Sequence, residues 1–288
     1  LGAAFPNPRI LQDDPFGSFQ IAVTFVEKCH MVGVQAGGGV RMLLESLVEG
    51  LSGGRAHEIR VGPFLTAVVL EDHRLWRGRS VARCGLASSL VFHEPRGGHA
   101  VRDAGRLEEK GAPELASYLL SEDSVEAAVG LATVNALLDV PDACLHQRPV
   151  LDLLLEHARG EKIAVVGHFP FVERLRGEVE ELFVLELRPE EGDLPSFEAR
   201  RVLPGCRVVV LTATVLLNGT YGELLPLCRD AFTIMMGPST PPSPLLFDHG
   251  IDVLAGSLVV DPAATVRAVS QGATYRDLDG VRKWVWRK

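Results

Sequence analysis

The chain has 288 residues, 47% of them hydrophobic, and a formal net charge of −8. That length and composition leave room for one large domain or two smaller ones with a sizeable core. The acidic balance lacks any long basic run to hold nucleic acid, and no apolar run approaches the ~20 residues that span a membrane.

Residues 1–18 carry Pro6, Pro8, Pro15 and Gly17 and read as an irregular arm. Pro6, Asp13 and Asp14 interrupt any apolar segment of the signal-peptide kind. Phe19 to Val34 suits a strand or a helix alike, and Gly37, Gly38 and Gly39 then break the chain. Met42, Leu43, Leu44, Leu47, Val48 and Leu51 form a helical stripe stopped by Gly53 and Gly54. Val61 to Leu70 predicts a strand and Val81 to Phe92 its antiparallel partner, with polar Glu71 to Arg79 as the connection. Glu94 to Gly111 predicts a charged surface loop. Leu115 to Leu120 opens a helix, and Ser124 caps a stronger one that runs to Leu138. Strands followed by helices make residues 1–145 a small α+β domain, with residues 1–38 unplaced. Pro141 to Pro149 reads as a linker into a short helix, Val150 to His157.

The five cysteines, Cys29, Cys84, Cys144, Cys206 and Cys228, form no C-x-x-C or zinc-ribbon spacing. An odd, scattered set fits reduced thiols in a cytoplasm, each a small buried apolar side chain. Cys29 beside His30, and His93, Glu94 and His99 in one segment, lack the spacing that puts two metal ligands on one helix face, so structural or solvent-exposed roles are expected. No zinc or iron held by protein side chains alone is expected.

From residue 146 to 288 the apolar runs recur at regular intervals: Ile163 to Val166, Leu182 to Leu185, Val208 to Leu211, Phe232 to Met236, and Asp252 to Leu254. Helical segments, among them Tyr221 to Ala231, separate them. This alternation predicts a Rossmann-like, doubly wound parallel sheet, closed by Val281 to Trp286 as an antiparallel edge strand. Asp261 and Pro262 start a helix that Gly272 stops. Ser243 and Pro244 serve as N-cap and first residue of a single turn, Leu245 to Phe247, closed by Gly250.

The strand ends carry the chemistry. The first runs into Gly167, His168, Phe169 and Pro170, and the second ends at Glu186, about twenty residues on, where a nucleotide-binding sheet keeps its ribose acid. Thr212, Thr214 and Asn218 follow the third, and Gly237, Ser239 and Thr240 follow the fourth. All would open on one side of the sheet, where small residues admit a ligand and hydroxyls and a carboxylate direct it. One glycine stands where the dinucleotide fingerprint needs three, and Pro170 removes an amide, so NAD and NADP are expected to bind weakly or not at all. His168 and His249 are candidate acid–base groups.

The stretches GHFPFVERL, TATVLLNGT and GPSTPPSPLLFDHGIDVLAGS resemble a family long labelled a domain of unknown function and described as putative heavy-metal chelation proteins. Upstream, VGPFLTAVVL, CGLAS and AAVGLATVNAL resemble its companion N-terminal domain. The resemblance implies an N-terminal domain similar to that of enolase, a Rossmann-like second domain, and a site in the cleft between them. The motif positions implied to line it are Gly167, Phe169, Glu186, Thr212, Thr214, Asn218, Gly237, Ser239 and Thr240. The implied function is a small-molecule-binding protein or enzyme in heavy-metal chelation or chelator metabolism. The implied partner is a small-molecule ligand, a metal chelate among the candidates. The alternatives are a nucleotide- or S-adenosylmethionine-dependent enzyme and a non-catalytic assembly module. Cofactor, reaction and homo-oligomeric state stay open.

Overall fold

The structure, a computed structural model, describes residues 38–90 and 101–288. Cys29, His30, His93, Glu94, His99 and the Phe19 to Val34 segment lie outside the described residues.

The first described element is α1 (Gly38–Val48), which buries Leu43 and Leu47. A three-stranded antiparallel meander follows: β1 (Ala56–Val61), β2 (Leu65–Trp76) and β3 (Arg79–Ser88). The strand expected over Val61 to Leu70 is therefore two strands, broken at Gly62. An added Cβ there would meet Val269 O at 2.5 Å, so only glycine lets the bend pass so close to the later helix. The polar stretch Glu71 to Arg79 is not a loop either. β2 runs through it, buried from Leu65 to Leu70 and then alternating between exposed and half-buried. It reads as polar because this half of the strand projects past the core. The turn itself is only Arg77 and Gly78, both at positive φ (49° and 74°), the conformation that a two-residue hairpin favours.

Helix α2 (Ala112–Ala116) and the 3-10 turn Ser117–Leu120 lead to α3 (Ser124–Leu137). The N-cap of α3 is Asp123, whose carboxylate accepts from Val125 N and Glu126 N; Ser124 is the first helical residue and donates to Leu90 O at 2.6 Å. Every residue from Glu126 to Ala136 is buried, so α3 is covered on all sides and runs through the core, with Thr133 bonded to Val129 O within the helix and Asn135 to Leu86 O of the sheet. Gly85 and Gly130 allow this: a Cβ on either would lie 2.0 Å from a backbone atom, Ala132 O and Leu119 N respectively.

The second sheet has seven strands: β4 (Lys162–Val166), β5 (Glu181–Glu186), β6 (Leu194–Pro195), β7 (Val208–Thr212), β8 (Phe232–Met236), β9 (Val253–Val259) and β10 (Val281–Arg287). Their order in space is β10-β9-β8-β7-β4-β5-β6, all parallel except β10. From β6 to β9 this is the order of a Rossmann sheet, with the switch point between β4 and β7. The fold class is thus the expected one: a parallel-rich sheet with a smaller antiparallel sheet beside it.

Alternation along the strands feeds two layers. Ile163, Val165, Val208 and Val210 pack with Leu153 and Leu154 of α4 (Val150–Ala158) and with Val172 and Leu175 of α5 (Val172–Leu175). Ala164, Val166, Val209 and Leu211 belong to the other layer, which is continuous with the core around α1 and α3. That layer also takes in α6 (Ala199–Val202) and α7 (Tyr221–Leu224). The helix expected over Tyr221 to Ala231 shortens to α7 because Pro226 follows, and the chain continues as a 3-10 turn, Leu225–Cys228. Helix α8 (Leu245–Asp248) has Pro244 at its N-cap position with no side-chain cap, so Ser243 does not play the capping role expected of it. Asp261 does cap α9 (Pro262–Ser270), accepting from Ala264 N at 3.0 Å. The turn Asp142–His146 packs against β10.

Candidate functional site

Strand register decides which residues meet. Val166 pairs with Leu185 on one side and Leu211 on the other, so the next row at the carboxyl ends holds Glu186, Gly167 and Thr212. The row extends outward through Pro195 beside Glu186 and through Met236 and Ala255 beside Thr212. The expected residues Gly167, Glu186 and Thr212 therefore lie side by side across the switch point, the place where open α/β sheets bind their ligands.

Gly167 turns the chain with φ +99°. A Cβ on it would stand 2.9 Å from Thr212 Cγ2, so the Thr212 methyl occupies the space that a side chain would need. Thr212 Oγ1 lies 3.1 Å from Thr214 Oγ1 and also accepts from Thr214 N, opening the turn Ala213–Leu216. Asn218 is committed locally, since its Oδ1 accepts from Thr220 N at 3.1 Å and Thr220 Oγ1 at 2.7 Å ahead of α7. Phe169 stacks on Phe171 with ring centroids 5.3 Å apart.

The Glu186 carboxyl is pushed above the usual carboxylate range, first by burial and then by the nearby Asp193 charge. The amides of Leu187 and His168 and the His168 ring act in the opposite direction. Glu186, half-buried, accepts from Leu187 N at 3.1 Å. His168 Nδ1 lies 3.6 Å from Asp193 Oδ2, with the imidazole 48% exposed and the Asp193 side chain only 3% exposed. Asp193 also accepts from Glu190 N at 3.2 Å. Sequence reading passed over Asp193 because it follows Glu190 and Glu191 in a polar stretch. The one signal was its place before Leu194 and Pro195, a strand too short to show periodicity.

The fourth strand end is built differently. Gly237, at φ +128°, has open space where a Cβ would be. Ser239 and Thr240 are each 1% exposed. Ser239 Oγ accepts from Ser88 N at 2.8 Å and so ties the end of β3 to this loop, while Thr240 Oγ1 is buried without a partner. His249 sits apart from the row, its ring 6.3 Å from that of Tyr221. Among the described residues no group of three or more His, Cys, Asp or Glu is placed to hold a metal ion, and no helix is long and apolar enough to cross a membrane.

Residues 149–286 match a family model described as "Putative heavy-metal chelation", and residues 44–138 match a second model of the same description. A crystal structure of a protein of unknown function from this family in Desulfitobacterium hafniense is 26% identical, with a TM-score of 0.70 over 87% of this chain and 98% of that one. A second, from Pyrococcus horikoshii, is 19% identical with a TM-score of 0.66 over 86% of this chain and 98% of that one, and shares the fold. None of the curated proteins matches the chain.

Proposed function

The chain belongs to the two-domain family described as putative heavy-metal chelation proteins, and on that premise we propose that it binds a small organic ligand, a metal chelate or its metal-free chelator, at the switch-point crevice. The observation that carries this reading is the strand register, which sets Glu186 beside Gly167 and the amide that follows it. In a dinucleotide site that amide holds pyrophosphate. Here a carboxylate ends the neighbouring strand, Pro170 has no N–H to offer, and the helix after β4 is a four-residue stub starting at Val172. The strand-end carboxylate disfavours phosphate, whereas a ligand with N–H or O–H groups is matched by Glu186 on one side and by the hydroxyls of Thr212 and Thr214 on the other. Gly237, with open space where a Cβ would be, lets such a ligand approach the backbone. Neutral hydroxyls and one or two carboxylates compete poorly with water for a transition metal, so the metal enters within its organic chelate.

The strand order and an acid at the end of β5 also favour a second reading, an S-adenosylmethionine-dependent enzyme, because that cofactor has ribose hydroxyls and no phosphate. Native mass spectrometry of protein purified without added ligand, with calorimetric titration of S-adenosylmethionine, NAD and NADP, separates the two. The expected result is a co-purifying organic mass, with or without metal, that Thr212→Val and Glu186→Gln each diminish. Micromolar S-adenosylmethionine affinity abolished by Glu186→Gln would instead establish the second reading. Protein that takes up nothing in any arm would leave an assembly role.

A further inference from the structure

We infer that His168, positioned by Asp193, is the proton acceptor of this crevice and takes a proton from an O–H or N–H group of the bound ligand. The inference rests on the crevice being a ligand site and adds the chemistry done there.

The starting point is Asp193. Its side chain is 3% exposed, and a buried carboxylate is costly unless donors surround it. One backbone amide, Glu190 N at 3.2 Å, meets only part of its acceptor capacity. The other group within reach is His168 Nδ1, 3.6 Å away, a separation that catalytic pairs commonly show before a ligand tightens them. With Nδ1–H turned to Asp193, the neutral imidazole carries its lone pair on Nε2. The ring is half exposed, so a ligand can reach it from solvent.

The charged groups around the ring are consistent with a base. Asp193 and Glu186 face it, and Arg176, whose guanidinium reaches the loop at Gly192, is bonded to Glu173 at 3.0 Å. An imidazolium formed here therefore meets two carboxyl groups. In the step itself, the ligand's O–H or N–H proton moves to Nε2, and the electron pair of that bond stays on the ligand atom. The new positive charge is held through Nδ1–H by Asp193. For a chelator, the released pair is the one it donates to a metal, because donor atoms must lose their protons before they coordinate. The substrate class is thus a small organic chelator with a donor O–H or N–H that is still protonated at neutral pH.

The test uses the full chain labelled with ¹⁵N-histidine. Long-range ¹H–¹⁵N spectra at pH 8 report the tautomer of each neutral imidazole, and His168→Gln assigns the signal. The expected result is the Nδ1–H tautomer, converted to Nε2–H in Asp193→Asn, whose amide can present N–H to Nδ1, and kept in Asp193→Glu. Diethyl pyrocarbonate, which acylates the unprotonated ring nitrogen, should modify His168 more slowly in Asp193→Asn, where that nitrogen is Nδ1 and is turned toward residue 193. An Nε2–H tautomer in the unmutated chain, or a tautomer indifferent to Asp193→Asn, overturns the inference. If Asp193→Asn does not fold, the unmutated spectrum and Asp193→Glu still decide. Native mass spectra of the same samples keep the two failures apart: ligand retained with the wrong tautomer sinks the base alone, and the right tautomer with no ligand in any preparation sinks the crevice and the chelator with it.

Discussion

Replacing Gly167 by alanine tests the switch-point contact directly. At φ +99° an L-residue sits in a region that costs on the order of 1–3 kcal/mol. The added methyl also stands 2.9 Å from Thr212 Cγ2 and 3.0 Å from Thr212 Cβ, an overpacking that adds about 1 kcal/mol. Gly167→Ala is therefore expected to destabilise the protein by about 2–4 kcal/mol. Thr212→Ser removes Cγ2 but keeps the hydroxyl that meets Thr214, and by itself costs about 1 kcal/mol. In the double variant the contact with Cγ2 is removed, while the contact with Cβ and the backbone strain remain. The two changes should then fall short of additivity by about 1 kcal/mol, outside the ~0.5 kcal/mol scatter of independent sites. Urea unfolding read by far-UV circular dichroism measures this through the midpoint at unchanged slope. A Gly167→Ala variant as stable as the parent, or strict additivity with Thr212→Ser, would refute the placement of these two residues.

Glu186 has its carboxyl raised by burial, so folding disfavours its charged form. Its favourable contribution is complete below the unfolded carboxyl pKa and is lost as pH rises through the folded one. Glu186→Gln should accordingly melt higher than the parent at pH 7–8 and match it below about pH 4; a difference that persists in acid would contradict the burial argument. Ser239→Ala leaves the Ser88 amide without its acceptor in a buried place and should cost about 1–3 kcal/mol in the same urea assay, whereas a neutral result would mean that the tie between the two sheets carries no energy. Burial pushes the thiols of Cys84 and Cys228 up to about 12 and that of Cys206 up to about 11. At pH 8 their thiolate fraction is on the order of one in a thousand or less, against roughly one in four for a free thiol. Iodoacetamide should leave these three unlabelled in the native chain while it labels the urea-unfolded control, and rapid native labelling of any of them would show it exposed.

Much of the second sheet was legible because parallel strands buried on both faces print as unbroken apolar runs. Val208 to Leu211 and Phe232 to Met236 need no context to be seen. The first sheet was harder to read. β1 mixes Glu58 and Arg60 with Ile59, and the outer half of β2 carries Glu71, Asp72, His73 and Arg74 because it extends past the core. The site divided in the same way. Gly167, Glu186 and Thr212 announce themselves as the polar ends of apolar strands, and register sets them in one row. Asp193 does not, since its significance lies in being buried beside His168, a fact of tertiary packing. Ser239 was visible as a strand-end hydroxyl, but its bond to Ser88 joins residues 151 positions apart, which no local pattern encodes.

The two margins of the large sheet have a consequence for how copies of this chain can meet. One margin is β6, two residues long and ending in Pro195, which has no N–H to offer a neighbouring strand. The other is β10, which runs against the direction of the rest, carries Arg282, Lys283 and Arg287, and has the turn Asp142–His146 packed against it. Neither margin presents a long, flat, uncharged ladder of free backbone groups, which is what strand-by-strand accretion requires. Strand-by-strand growth of this sheet is therefore disfavoured at both of its margins.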